Sequence, residues 1–254
     1  MSTEPVKPEA PTPEAMTIRE HLAELRKMLF LCAGVFLLFA VLAFVFIQPL
    51  VNALLRLGPE FDFVYLSPAE LVTAYLRLAL VAGVVFASPF IRWQGWSFVK
   101  PGLLEKERSS VLVALVAGFV FFLIGAVFCY FFALPLTMSF FYNFNTATEI
   151  TASISFDSYM SFILSMLVVF GCVFEMPVLS YLLARLGILK TGHLKKARKV
   201  AIVLIFLCAA IITPPDVVSQ VVAALPMLLL YELSIYVCRL AERKRAAGED
   251  TPAE

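Results

Sequence analysis

Apolar residues in this chain come in long unbroken runs, unlike the alternation of a strand or the one-sided stripe of a soluble helix. Helical spans are predicted at about 28–48, 69–91, 109–134 and 158–184. Each reaches the roughly 20 residues that a helix needs to cross a hydrocarbon core. Two further runs, at about 200–213 and 217–238, are separated by Thr213-Pro214-Pro215-Asp216. Each proline lacks an N–H and pushes the preceding residue out of the helical region, so one continuous crossing is excluded. The fifth run, as a helix, reaches only ~20 Å against a core of ~30 Å. It is therefore a short span that thins the bilayer or half of a re-entrant hairpin, and the pattern leaves both open. Before the first run, Ile18, Leu22, Leu25 and Leu29 recur at helical spacing. Thr17 and Glu20 form a capping box there, which predicts an amphipathic lead-in helix. Pro49 marks the expected end of the first span.

Composition turns this pattern into a membrane assignment. Of 254 residues, 61% are hydrophobic and 15% charged, more apolar surface than a water-soluble globule of this size can hide. Residues 1–15, rich in Pro, Glu and Ala, are expected to be a disordered tail, and 241–254 a second one, leaving 16–240 as the membrane domain. The first run is too long for a signal-peptide core and reads as a retained span. All five cysteines (Cys32, Cys129, Cys172, Cys208 and Cys238) lie in apolar runs without ligand spacing, and His21 and His193 stand far apart. They suggest no metal and no cofactor.

Net charge is only +1, but its distribution orients the chain. Eighteen of the twenty Lys and Arg flank the spans on one side. They cluster before the first span, in the loop after the second (Arg92, Lys100, Lys106, Arg108), after the fourth, and after the last. Six crossings with both termini cytoplasmic account for this bias. Only Arg56 falls outside and Arg77 within a span. Nothing in the charge pattern points to nucleic acid.

Candidate chemistry is sparse. There is no Walker loop, HExxH or GxSxG, and the intramembrane carboxylates read as isolated, which argues against an enzyme. Glu175, in Phe174-Glu175-Met176-Pro177, is costly in lipid, and Pro177 frees the Val173 carbonyl. A hydrated concavity, a polar contact with another helix, or a protonated Glu175 satisfied within the bundle each fits. Glu232 and Arg77 raise the same question; the absence of an internal repeat weighs against a solute transporter lined by these groups. At the basic edge, Glu24 either pairs locally with Lys27 or, with Glu107, offers carboxylates that accept arginines bidentately. Alternatively, Glu107 caps the third span, and the chain could also be an assembly scaffold with dispensable carboxylates.

Four ordered motifs resemble the TatC family, the multispanning receptor subunits of the twin-arginine protein translocase. They are His21-Leu22-x-Glu24-Leu25-Arg26, Trp96-x-Phe98 with Pro101-x-Leu103 and Glu107-Arg108, Phe174-Glu175-x-Pro177-Val178, and Thr213-Pro214-Pro215-Asp216-x-x-Ser219-Gln220. The resemblance implies an all-α membrane protein, a glove-shaped bundle of six transmembrane helices with short fifth and sixth spans, in the bacterial cytoplasmic (inner) membrane. It implies Sec-independent translocation of folded proteins driven by the proton-motive force. Glu24 and Glu107, with Arg26 and Phe98, would bind twin-arginine signal peptides. Glu175 would be the polar group of the concave face. Thr213 and Gln220 would lie in the region touching TatA- and TatB-like single-span partners, with Asp216 in the external turn beside it. The resemblance also admits a homo-oligomer. Met28 departs from a basic residue common after the first motif, and Ala210 from a bulkier or more polar one near Thr213.

Overall fold

The computed structural model describes residues 18–58, 62–100, 105–146, 153–213 and 217–249. Expected features at 1–17, 101–104 and 214–216, among them the N-terminal tail, Thr17 and Asp216, lie outside the described residues. Helices dominate: α1 (Ile18–Val45), α2 (Ile47–Leu55), α3 (Pro68–Val99), α4 (Glu105–Phe128), α5 (Leu134–Thr146), α6 (Phe156–Phe174), α7 (Met176–Arg185), α8 (Thr191–Ile212) and α9 (Val217–Glu249). Among the described residues, five helical segments are long and apolar enough to cross a membrane: Leu22–Val45, Pro68–Phe98, Val111–Asn143, Phe156–Arg185 and Val217–Arg245. The fifth expected span falls on α8, whose first half carries Lys195, Lys196, Arg198 and Lys199, so only its second half is apolar.

Many large apolar side chains face outwards, and many small residues are buried between helices. Phe30, Val41, Val45, Val203 and Ile211 are exposed, while Ala40, Ala43, Ala74, Ala82, Ser219 and Ser234 are buried. Lipid is as apolar as leucine, so these helices associate through close packing and interhelical polar contacts, which small residues permit. α1 packs on α3, α4 on α6, and α9 on α7 and α8. Gly83 lets the backbone of α1 approach: a Cβ there would lie 2.8 Å from the Ala40 Cβ and 2.9 Å from its N.

Three prolines are absorbed into helices, among them Pro49, the expected end of the first span. Pro49 opens α2 rather than ending the first span; it occupies the first turn, where the missing N–H has no intrahelical acceptor. Pro135 does not end the third span either. A π-turn at Cys129–Ala133 precedes it, with the Leu134 N–H bonded to the Cys129 carbonyl, and the helix continues to Thr146. Pro89 lies within α3, and Ser88 Oγ donates to the Val85 carbonyl (2.8 Å), the group whose usual donor Pro89 lacks. With that carbonyl satisfied, α3 extends to Val99, eight residues past the boundary expected at 91.

The expected short sixth span and the tail from 241 are also corrected. α9 runs 33 residues to Glu249 because its basic end packs against its neighbours. Ala241 is fully buried, and Glu242 accepts the Thr191 N–H (2.8 Å) and the Thr191 hydroxyl. A carboxylate thus caps the first turn of α8 from another helix, where orphan N–H groups and the helix dipole favour it. α7 ends in a Schellman turn at Gly187 (φ 73°), with Gly187 N–H to Ala184 O and Ile188 N–H to Leu183 O.

The opposite end of the bundle carries a feature not expected of an all-α chain. Strands β1 (Asp62–Val64) and β2 (Ser153–Ser155) pair in parallel, Phe63 opposite Ile154. Three residues are too few to show a periodic signature in sequence. Glu70 locks the pair by accepting the Leu66 N–H (2.7 Å) and the Ser155 hydroxyl. Above it, the C-terminal carbonyls of α2 are held by tyrosines: Tyr130 OH to Ala53 O (2.8 Å) and Tyr159 OH to Leu54 O (2.9 Å). Tyr159→Phe is expected to cost about 1 kcal/mol, the usual worth of one such bond. Thermal unfolding in detergent would measure it; an unchanged midpoint would show the bond is not holding α2.

Candidate recognition surface and intramembrane polar site

The basic edge is assembled from the ends of three helices. Leu22, Glu24, Leu25, Arg26 and Lys27 are all exposed on the first turns of α1. No described residue forms an ion pair with Glu24, so the local bridge to Lys27 is not made. Trp96 and Phe98 lie on the last turns of α3 rather than in a loop, Trp96 buried and Phe98 half-buried. Glu107 lies in the first turn of α4, where an acidic residue suits the helix dipole; its side chain lies outside the described residues. α3 contacts both α1 and α4, so the helices carrying Glu24, Phe98 and Glu107 are neighbours.

Within the bundle, the carboxylates predicted as isolated are paired. Glu175 stands at the break between α6 and α7, with Pro177 opening α7. Its Oε2 accepts from Arg92 Nη1 at 3.1 Å, and its Oε1 from Arg92 Nη2, a two-pronged fork. Charge counting places Arg92 in a basic loop, yet it sits on α3, seven residues and about 10 Å from the helix end at Val99. It also lies over the Phe122 ring at 5.9 Å. Its role is legible only in space, because 83 residues separate it from Glu175. Of the alternatives for Glu175, the structure shows the polar contact with another helix, α3. Glu232 is likewise paired, with Arg198 Nε at 2.9 Å. Arg77 meets Asp157, in the first turn of α6, at 3.3 Å, although their alignment misses hydrogen-bond geometry.

An apolar groove of about 280 Å³ runs beside this site, lined by Leu50, Leu54, Val85, Phe86, Phe122 and Leu167 among others. Phe122 is thus both a wall of the groove and the support under Arg92. Two candidate partner-contact residues are tied into the α8–α9 hairpin. Thr213 is buried and its hydroxyl donates to Ala209 O (2.9 Å); Gln220 Nε2 donates to Phe206 O (3.0 Å). Ile211 and Val217, flanking the turn, are highly exposed.

Long apolar helices, a basic edge with exposed carboxylate and a charged pair inside the bundle define a multi-pass helical membrane protein. The model of the family described as Sec-independent protein translocase protein (TatC) matches residues 20–226. The chain is 38% identical over 235 residues to the Sec-independent protein translocase protein TatC of Aquifex aeolicus, covering 91% of this chain and 98% of that protein. It is 34% identical over 232 residues to TatCy of Bacillus subtilis, covering 90% and 91%. A crystal structure of the twin arginine translocase receptor TatC superposes with a TM-score of 0.78 at 38% identity, covering 87% of this chain and 99% of that one. The chain belongs to the TatC family, and is a membrane-embedded component of the Sec-independent protein translocase.

Proposed function

We propose that this chain is the signal-reading subunit of its translocase, with six crossings, a glove-shaped bundle and both termini in the cytoplasm. The observation that carries the reading is Glu24, an exposed carboxylate on α1 with no ion-pair partner among the described residues, with Glu107 opening α4 across α3. A twin-arginine signal presents two planar, permanently charged groups, each able to fork onto a carboxylate. Arg26 and Phe98 border the same edge and would guide the rest of the signal. Lysine gives a point charge without the fork, so a twin-lysine signal is expected to bind worse.

Glu175 would form the polar contact of the concave face with a TatA- or TatB-like single-span helix. Thr213 and Gln220, which hold the α8–α9 hairpin, would lie in the region that touches the partner helices, with Asp216 in the external turn beside it. Cargo would cross folded, driven by the proton-motive force at the inner membrane, without a catalytic step in this chain.

Site-specific crosslinking to a purified twin-arginine signal peptide tests the reading. Glu24→Lys and Glu107→Lys are each expected to cut crosslinking about tenfold or more, because each replaces attraction with repulsion at an arginine site. Unchanged crosslinking in both variants would overturn it.

A further inference from the structure

Charged side chains within membrane-spanning helices are costly to keep, and Arg92 is one of them. A guanidinium about 10 Å from its helix end has a stem long enough to snorkel towards the basic edge. Here it turns instead across the bundle and forks onto Glu175.

The surroundings are shaped for that fork. Gly118 of α4 lies beneath it: a Cβ at 118 would stand 3.0 Å from Arg92 Nη1 and 3.8 Å from Glu175 Oε2. One turn further along α4, Phe122 supports the guanidinium with its ring. α4 therefore supplies a floor with a gap at 118 and a π-face at 122, while α3 supplies the cation. Glu175 itself sits where the helix is interrupted, its N–H bonded to Cys172 O (3.1 Å). Side-chain exposure is 21% for Arg92 and 17% for Glu175, so the pair is sheltered but its outer edge is accessible.

We propose that Arg92 is the positioning residue for Glu175: it clamps the carboxylate at the α6–α7 break in one orientation and compensates its charge, so that a membrane-spanning helix can pack onto the pair. This rests on the reading of Glu175 as a partner contact. A carboxylate held by one fork keeps its remaining lone pairs for a second donor, whereas a free Glu175 would rotate and would have to be buried as a bare anion when the helix docked. Arginine is required because its planar fork fixes direction; lysine compensates the charge but not the orientation.

The test uses the full chain co-expressed with a TatB-like single-span subunit and carrying a photo-crosslinking residue in place of the exposed Leu179, one turn beyond Glu175. The otherwise unsubstituted chain should crosslink at one or two partner positions. Arg92→Leu is expected to reduce that yield about tenfold, the scale of coupling between residues in contact, or to spread it along the partner helix. Arg92→Lys should retain yield but lose the sharp position. The exchange Arg92→Glu with Glu175→Arg keeps an ion pair but removes the carboxylate from the α6–α7 break, so accumulation should return without the sharp crosslink, and a sharp crosslink there would overturn the proposal. If the unsubstituted chain gives no crosslink, the partner role of Glu175 falls. If it does, and Arg92→Leu changes neither yield nor position, Arg92 alone loses its role. If Arg92→Leu fails to accumulate in the membrane, Arg92→Lys decides: a crosslink spread along the partner helix supports positioning, and an unchanged sharp position overturns it.

Discussion

Valine at position 125 is expected to unseat α4 from α6 and to lower stability by about 3 kcal/mol, the upper end of ordinary overpacking. A Cβ at Gly125 would fall 2.7 Å from the Phe170 carbonyl oxygen, 2.7 Å from the Phe174 Cβ and 2.8 Å from its Cγ. Phe170 is fully buried and its carbonyl belongs to the helix ladder, so the clash cannot be relieved by turning a side chain. The contact is reciprocal. Gly171 of α6 receives the Phe122 ring of α4, where a Cβ would lie 2.6 Å from Cε2. Two helices in lipid gain little from hiding apolar surface, so the fit of their surfaces carries the association. Gly34, where an added Cβ would meet nothing within 4 Å, makes the control. Thermal unfolding in detergent should show a large downward shift for Gly125→Val and a small one for Gly34→Val; equal shifts would mean the close approach is not structural.

Glu175→Leu is expected to be the most damaging single change at the polar site, because it strands Arg92 inside the bundle. Removing one partner of a sheltered ion pair typically costs about 3–5 kcal/mol, whereas replacing both by apolar groups is often close to neutral. The second change, Arg92→Leu, should therefore rescue most of the stability lost in Glu175→Leu. Unfolding of the single and double variants in detergent measures the coupling, and additive losses would show that the fork contributes little. Stability recovered in the double variant is not expected to bring back partner crosslinking, since the carboxylate itself is gone.

The apolar runs led to helices in every case, because each run is long enough to bury its own backbone hydrogen bonds in lipid. Proline is a poorer guide. In water Pro49, Pro89 and Pro135 would be helix stops; here the first-turn position of Pro49, the Ser88 hydroxyl beside Pro89 and the π-turn before Pro135 each resolve the missing donor locally. The lipid-facing alternative, a broken helix with unsatisfied carbonyls, is costlier than these adjustments. The C-terminal boundary fails for a different reason. Residues beyond 240 are polar and look like a tail, but Glu242 is recruited to cap α8, a partner 51 positions away in sequence.

The candidate site divides along the same line. Glu24, Arg26, Phe98, Glu107 and Glu175 can be picked out by residue type and by ordered motif, since each is a polar or aromatic group at a depth or edge where it is conspicuous. Arg92 cannot: in sequence it merges with the basic residues that follow α3, and its function depends on where α3 passes α6 and α4.

Residue order alone is enough to put the chain in a membrane, to say roughly where it crosses, which end is basic and which few carboxylates stand out. Those properties follow from the local cost of placing each residue type in lipid or water. Packing in three dimensions settles which charges neutralise one another, which prolines are absorbed into helices and which glycines admit a neighbouring helix. Those depend on atoms tens of residues apart meeting within 3–4 Å, as Arg92 and Glu175 do across 83 residues.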